Sequence, residues 1–261
     1  MLRKNKINKI RKSLIKILIT ILLIITCWEI IRFCSIQLFQ VQPLFFPSTG
    51  KILKTLYDSF FDSSFWFPLW NTLIKIIISF FTVIILSLII GTFLGYKTKV
   101  YIYTRPFWDF LRSIPPATLF PIFLVLIGLG DSTKIIIAIY FATLILSLNI
   151  ADSLRHVIES QNNVWGNMGI NKTDILRFYL IPQIISYLFS GLRITGSLIV
   201  ALIVIAEMYV GTESGVGGAI VTAREQYNWN QLYALIVITG LMGYLINQLI
   251  DFMYKKFKIN E

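Results

Sequence analysis

The chain has 261 residues, of which 56% are apolar and only 14% charged, with a formal charge of +11. Soluble domains carry about 25% charged residues, and a chain of this size must cover itself with polar surface unless lipid takes that role. The balance excludes a water-soluble enzyme, and basic residues placed at the ends and between apolar runs exclude a nucleic-acid-binding module.

The apolar runs are continuous, as in Ile17 to Ile25, Ile76 to Ile90 and Ile135 to Leu148. A membrane β-barrel would alternate apolar and polar residues along each strand. Hydrocarbon tolerates continuous spans only when the backbone is bonded within the segment, so these runs predict α-helices. The expected fold is an all-α polytopic membrane protein with six transmembrane helices.

In chain order, a basic tail over residues 1–13 leads into a first, uncleaved span from about Leu14 to Phe33. Glu29 near its outer end is expected to pair with Arg32 or reach toward headgroups. Cys27 and Cys34 stand seven residues apart, two helical turns, too far for a mutual disulfide. Residues 35–65 read as an external loop holding a short amphipathic helix that starts near Ser48, a natural N-cap. Pro68 and Asn71 precede a second span, Thr72 to Tyr96, with Lys75 near its outer boundary.

Residues 97–112 are expected to be a basic loop. A third span, about Ile114 to Leu129, has Pro115, Pro116 and Pro121 near one end, and its freed carbonyls need protein or a polar cavity. A compact turn, Asp131 to Lys134, leads to the fourth span, Ile135 to Ile150. The fifth runs from about Ile184 to Val210 and the sixth from Leu232 to Met253, with a short basic tail over residues 254–261. Residues 14–253 thus form one membrane domain. Six spans put both termini on one side, and that side holds 18 of the 24 Lys and Arg, so both ends are expected in the cytoplasm.

The polar stretch Ala151 to Arg193 is too polar to cross and too short for an enzyme domain. It reads as helix, Gly169, a short helix over Lys172 to Tyr179 capped by Asn171 with Asp174 in its first turn, and then Pro182. On the residues alone, a docking handle and an ordinary interfacial helix stay open.

The Gly169-to-Pro182 spacing resembles the conserved loop of permease subunits of binding-protein-dependent ABC importers. Asn163-Val164-Trp165 departs from the Glu-Ala-Ala usual six residues before the glycine. Leu111-Arg112-Ser113-Ile114-Pro115-Pro116, Gly128-Leu129-Gly130, Ala206-Glu207-Met208, Gly215-Val216-Gly217 and Gly240-Leu241-Met242-Gly243 resemble the nitrate/sulfonate/taurine permease group. The resemblance implies that the loop over about 152–182 is a cytoplasmic coupling helix seated in an ATPase subunit. Gly169, Asn171, Lys172, Asp174, Arg177 and Pro182 would lie in or around that contact. It also implies an extracytoplasmic solute-binding protein, a second permease subunit forming a homodimer, and a small-molecule substrate such as sulfonate, nitrate or taurine.

Glu207, costly in lipid, is expected either to face the translocation path or a gate, or to be a buried group bonded to freed backbone. Pro115, Pro116, Gly215 and Gly217 are the other path or gate candidates. Gly191 with Thr195, and Gly240 with Gly243, suggest close helix contacts. No phosphate-loop motif, metal cluster or catalytic triad occurs, so ATP hydrolysis falls to a partner and no cofactor is expected. The competing readings are an ion-coupled secondary transporter and a non-catalytic membrane scaffold.

Overall fold

A computed structural model describes residues 2–168, 181–210 and 215–258, with side-chain surroundings defined for residues 15–16, 18–159, 181–210 and 215–256. The described residues form helices α1 (Leu2–Gln37), α2 (Thr49–Phe60), α3 (Ser63–Tyr96), α4 (Thr98–Ser113), α5 (Pro116–Ile127), α6 (Asp131–Met168), α7 (Ile181–Val210), α8 (Val216–Glu225) and α9 (Trp229–Lys258). Five helices, α1, α3, α6, α7 and α9, are long and apolar enough to cross a membrane. The bent pair α4–α5 makes six if counted as one span. The fold is all-α and polytopic.

α3, α6 and α7 make the core. On α3 the residues Ser79, Val83, Ser87, Gly91 and Gly95 recur every fourth position and are all buried. Small residues at that spacing let two backbones approach closely. α6 takes the opportunity: a Cβ on Gly91 would sit 2.7 Å from the Ser147 carbonyl oxygen, and one on Gly95 2.9 Å from Leu154 Cδ2. The ascending pairs show that α3 and α6 run in the same direction. Gly191 of α7 likewise packs on Leu146 of α6, and Gly196 on Ile250 and Ile246 of the antiparallel α9. Gly240 and Gly243 depart from expectation, because a Cβ at either would meet open space.

The third span differs most from the sequence reading. Pro115 disfavours the α region for Ile114, which adopts φ −71° and ψ 123°, and the chain turns through 91° there. α5 begins at Pro116, in the first helical position where proline is tolerated, and ends after 12 residues at Gly128 with φ +92°. At 1.5 Å per residue it is about 18 Å long, short of a hydrocarbon core about 30 Å thick.

Residues 97–112, expected as a loop, are instead mostly the helix α4. One face of α4 is tied to α6: Tyr101 and Arg105 both engage Asp152, and the Arg155 guanidinium lies 4.4 Å from the Tyr101 ring centroid. Its other face leaves Tyr103, Phe107 and Phe110 exposed, as an interfacial helix would. Asp131 to Lys134, expected as a turn, is the first turn of α6.

The outer elements are held by polar caps. Ser48 precedes α2 as expected but makes no side-chain cap. Glu29 of α1 supplies it, accepting from Thr49 N at 2.8 Å and from its hydroxyl at 2.6 Å while pairing with Arg32 at 3.1 Å. α3 starts five residues before Pro68 because Asp62 caps it, accepting from Ser64 N, a bond that holds the Asp62 carboxyl below its usual range. Cys27 and Cys34 are free thiols.

The α3–α6 seam makes a prediction. Gly91→Ala should lower stability by about 1–3 kcal/mol, because a backbone oxygen must give way. Gly240→Ala, facing open space, should stay within about 0.5 kcal/mol of the parent. Thermal denaturation of the purified protein in detergent measures both, and equal effects would contradict the packing described.

Candidate functional site

The charged side chains that lie deepest in the bundle converge on one cluster. Glu207 of α7 is 0% exposed, Lys134 of α6 0% and Lys75 of α3 3%. Lys75 Nζ lies 2.9 Å from Glu207 Oε1 and 3.0 Å from Asp131 Oδ1, and Lys134 Nζ lies 2.9 Å from the same Asp131 oxygen. Two cations and two carboxylates therefore share a small volume with no net charge. Single charges there would be costly, whereas a paired and hydrogen-bonded set is tolerated.

Hydrogen bonds extend the cluster into α8. The Thr72 hydroxyl donates toward the Glu207 carboxylate at 2.9 Å and accepts from Val216 N at 2.9 Å. Gly217 N donates to Glu207 Oε2 at 3.0 Å. The carboxylate thus satisfies one backbone donor at the start of α8 and the Thr72 hydroxyl another, where the helix dipole also favours negative charge. Gly215 and Gly217 are glycines for lack of room: a Cβ on Gly215 would sit 2.1 Å from Glu207 Oε1, and one on Gly217 2.2 Å from the Val204 carbonyl oxygen. Glu207 thus joins α3, α7 and α8, and Lys75 carries the tie on to α6.

Lys75 is the correction here. Expected near the outer boundary of its span, it is buried because Glu207, 132 residues away in sequence, supplies a partner inside the bundle. The usable signal was Thr72 and Lys75, one helical turn apart on an otherwise apolar helix that has to share a bundle with an intramembrane glutamate. Arg193, tallied with the loop residues, lies inside α7 and pairs with Asp251 of α9.

The remaining candidates are dispersed. Pro115 and Pro116 form the α4–α5 bend, and α5 meets α7 through stacked Phe120 and Tyr209 rings 5.2 Å apart. Pro182 is the second residue of α7, where proline suits a helix start. Gly169, Asn171, Lys172, Asp174 and Arg177 lie outside the described residues. α6 and α7 precede and follow them in sequence, and Leu154 and Val157 of α6 pack with Ile184 and Tyr187 of α7.

The cluster predicts a coupled pair. Lys75→Met alone should destabilise by about 3–5 kcal/mol, since it leaves the Glu207 charge short of its counterion. The double variant Lys75→Met/Glu207→Met should recover about 1–3 kcal/mol relative to the sum of the single changes. A double-mutant cycle on thermal stability in detergent reads this, and additive losses would contradict the pairing.

Residues 83–258 match the family described as the binding-protein-dependent transport system inner membrane component. The taurine transport system permease protein of Escherichia coli (strain K12) is 23% identical over 233 residues, covering 87% of this chain and 82% of its own. The nitrate import permease protein of Leptolyngbya laminosa is 26% identical over 194 residues, covering 74% of this chain and 68% of its own. Among solved structures, an inward-facing crystal form of the MetNI methionine ABC transporter contains a chain with the same fold. It superposes with a TM-score of 0.62 at 20% identity, over 73% of this chain and 94% of that one. With well over half of its length matched, the chain belongs to the family of binding-protein-dependent transport system inner membrane components.

Proposed function

We propose that this permease subunit passes a small solute, an anion or zwitterion of the sulfonate, nitrate or taurine kind, through a homodimer driven by cytoplasmic ATPase subunits. The coarser statement follows from the family: the chain is an ABC-importer permease subunit that forms a translocation path, and ATP hydrolysis resides in a separate partner. The relatives named for taurine and nitrate supply the solute class. An extracytoplasmic binding protein delivers the solute.

The observation that carries the mechanism is the packing of Leu154 and Val157 of α6 on Ile184 and Tyr187 of α7, the two helices that precede and follow residues 169–180 in sequence. The two helices also hold the charge cluster, through Asp131, Lys134 and Glu207. Force applied to the segment between them would therefore act on the helices that the cluster joins. Gly169, Asn171, Lys172, Asp174, Arg177 and Pro182 are the proposed contact with the ATPase. Closure of the ATPase dimer would shift the bundle between two arrangements in favour of the one its contact prefers. The bias of basic residues supports a cytoplasmic position for both termini and this contact.

Co-purification tests the contact. Gly169→Pro and Asp174→Arg should each reduce recovery of the ATPase subunit at least about tenfold, equivalent to about 1.4 kcal/mol. Thermal stability of the isolated permease should not change. Undiminished recovery in both variants would remove the coupling assignment.

A further inference from the structure

The α7–α9 pair has two open faces of opposite chemistry. With α3 it forms an apolar groove of about 450 Å³, whose walls include Ile77, Phe81, Ile185 and Leu249. The other face carries Ser190, Arg193 and Ser197 on α7 and Asn247, Asp251 and Tyr254 on α9, each set spaced to share one side of its helix. Apolar walls suit lipid. Polar and ionisable residues within membrane helices face a bundle interior or a water-filled cavity.

Arg193 is the unusual member. Its side chain is 48% exposed, its Nε lies 2.6 Å from Asp251 Oδ1, and Tyr254 presents its ring 5.9 Å from the guanidinium carbon. The Asp251 oxygen nonetheless accepts no hydrogen bond, so the two charges touch without a directed N–H contact. Beside them Ser186, Ser190, Arg193 and Tyr254 help to line a notch of about 160 Å³, room for a group of a few heavy atoms. One turn further along, Asn247 donates to the Ser197 hydroxyl at 2.7 Å, and its own carbonyl oxygen is buried without a partner. Beyond that, the open positions of Gly243 and Gly240 continue α9 without side chains.

We propose that this seam is a wall of the passage and that Arg193, with Ser186 and Ser190, forms a station for the oxyanion group of the solute. The inference rests on the permease reading and adds where an anionic group is held. A planar guanidinium fork matches two oxygens of a carboxylate, sulfonate or nitrate. Asp251 limits the affinity by competing for the same cation. Weak binding is what a passage requires, since a station must release what it accepts.

The test uses the chain assembled with its ATPase in membrane vesicles, with Cys27→Ala and Cys34→Ala as background. Ser190→Cys is compared with Leu249→Cys, a residue of the apolar groove close in depth to Asp251. The probes are the anionic 2-sulfonatoethyl and the cationic 2-(trimethylammonium)ethyl methanethiosulfonates. Ser190→Cys should react with the anionic probe at least about tenfold faster than Leu249→Cys. Adding Arg193→Gln should lower the anionic-to-cationic rate ratio about tenfold, whereas Arg193→Lys should largely keep it. If the thiol at 190 is as inert as that at 249, the seam faces lipid and the proposal falls. A ratio unmoved by Arg193→Gln overturns the anion station. Recovery of the ATPase, read on the same vesicles, separates either failure from failure of the permease reading itself.

Discussion

A glutamate buried in a membrane bundle must be compensated where it stands, because no water can reach it and lipid offers no partner. Glu207 meets that constraint with one cation, one hydroxyl and one backbone N–H: Lys75, Thr72 and Gly217. Lys75 and Thr72 stand one turn apart on α3, and Gly217 belongs to α8. The demand of one carboxylate therefore fixes how α3, α7 and α8 stand to one another. Through Lys75 and Asp131 it reaches the start of α6 as well.

The rest of the bundle is organised so that this cluster can form. The stripe of every fourth residue on α3 brings α6 close enough for Lys75 and Asp131 to meet. Gly215 and Gly217 leave no Cβ where the start of α8 meets Glu207, so the Gly217 N–H reaches the carboxylate. α1 stands apart by comparison. It is held near its C-terminal end by Trp28, whose indole donates to the Pro47 carbonyl at 3.1 Å and packs on Tyr233, and by Glu29 capping α2. Most of its apolar surface is open. α9, also outside the cluster, is instead packed into the core, with Ile246 and Ile250 against Gly196 of α7.

Much of this was legible from residue order. Long apolar runs name their own helices, since lipid leaves the backbone no alternative. The prolines at 115 and 116 announced a break. Its consequence was less visible, because a bend of 91° turns an expected full span into a short helix plus an interfacial one. α4 looked like a loop because its charges were counted without their spacing. Tyr101, Arg105 and Asp109 recur every fourth residue and face α6 or one another. The buried role of Lys75 was hidden for a different reason. Position along a span suggests depth, but only the tertiary fold supplies a partner from 132 residues away. Glu207 stands out in the sequence as an intramembrane carboxylate, and its surroundings are those of a buried group held by hydrogen bonds and an ion pair.

The account makes this chain a passage without its own motor. The most direct measurement is solute accumulation in proteoliposomes holding the chain, its ATPase and its binding protein, with internal ATP and ion gradients varied independently. The account predicts uptake that requires ATP and the binding protein and persists when proton and sodium gradients are abolished. Uptake driven by an ion gradient in the absence of ATP would contradict it.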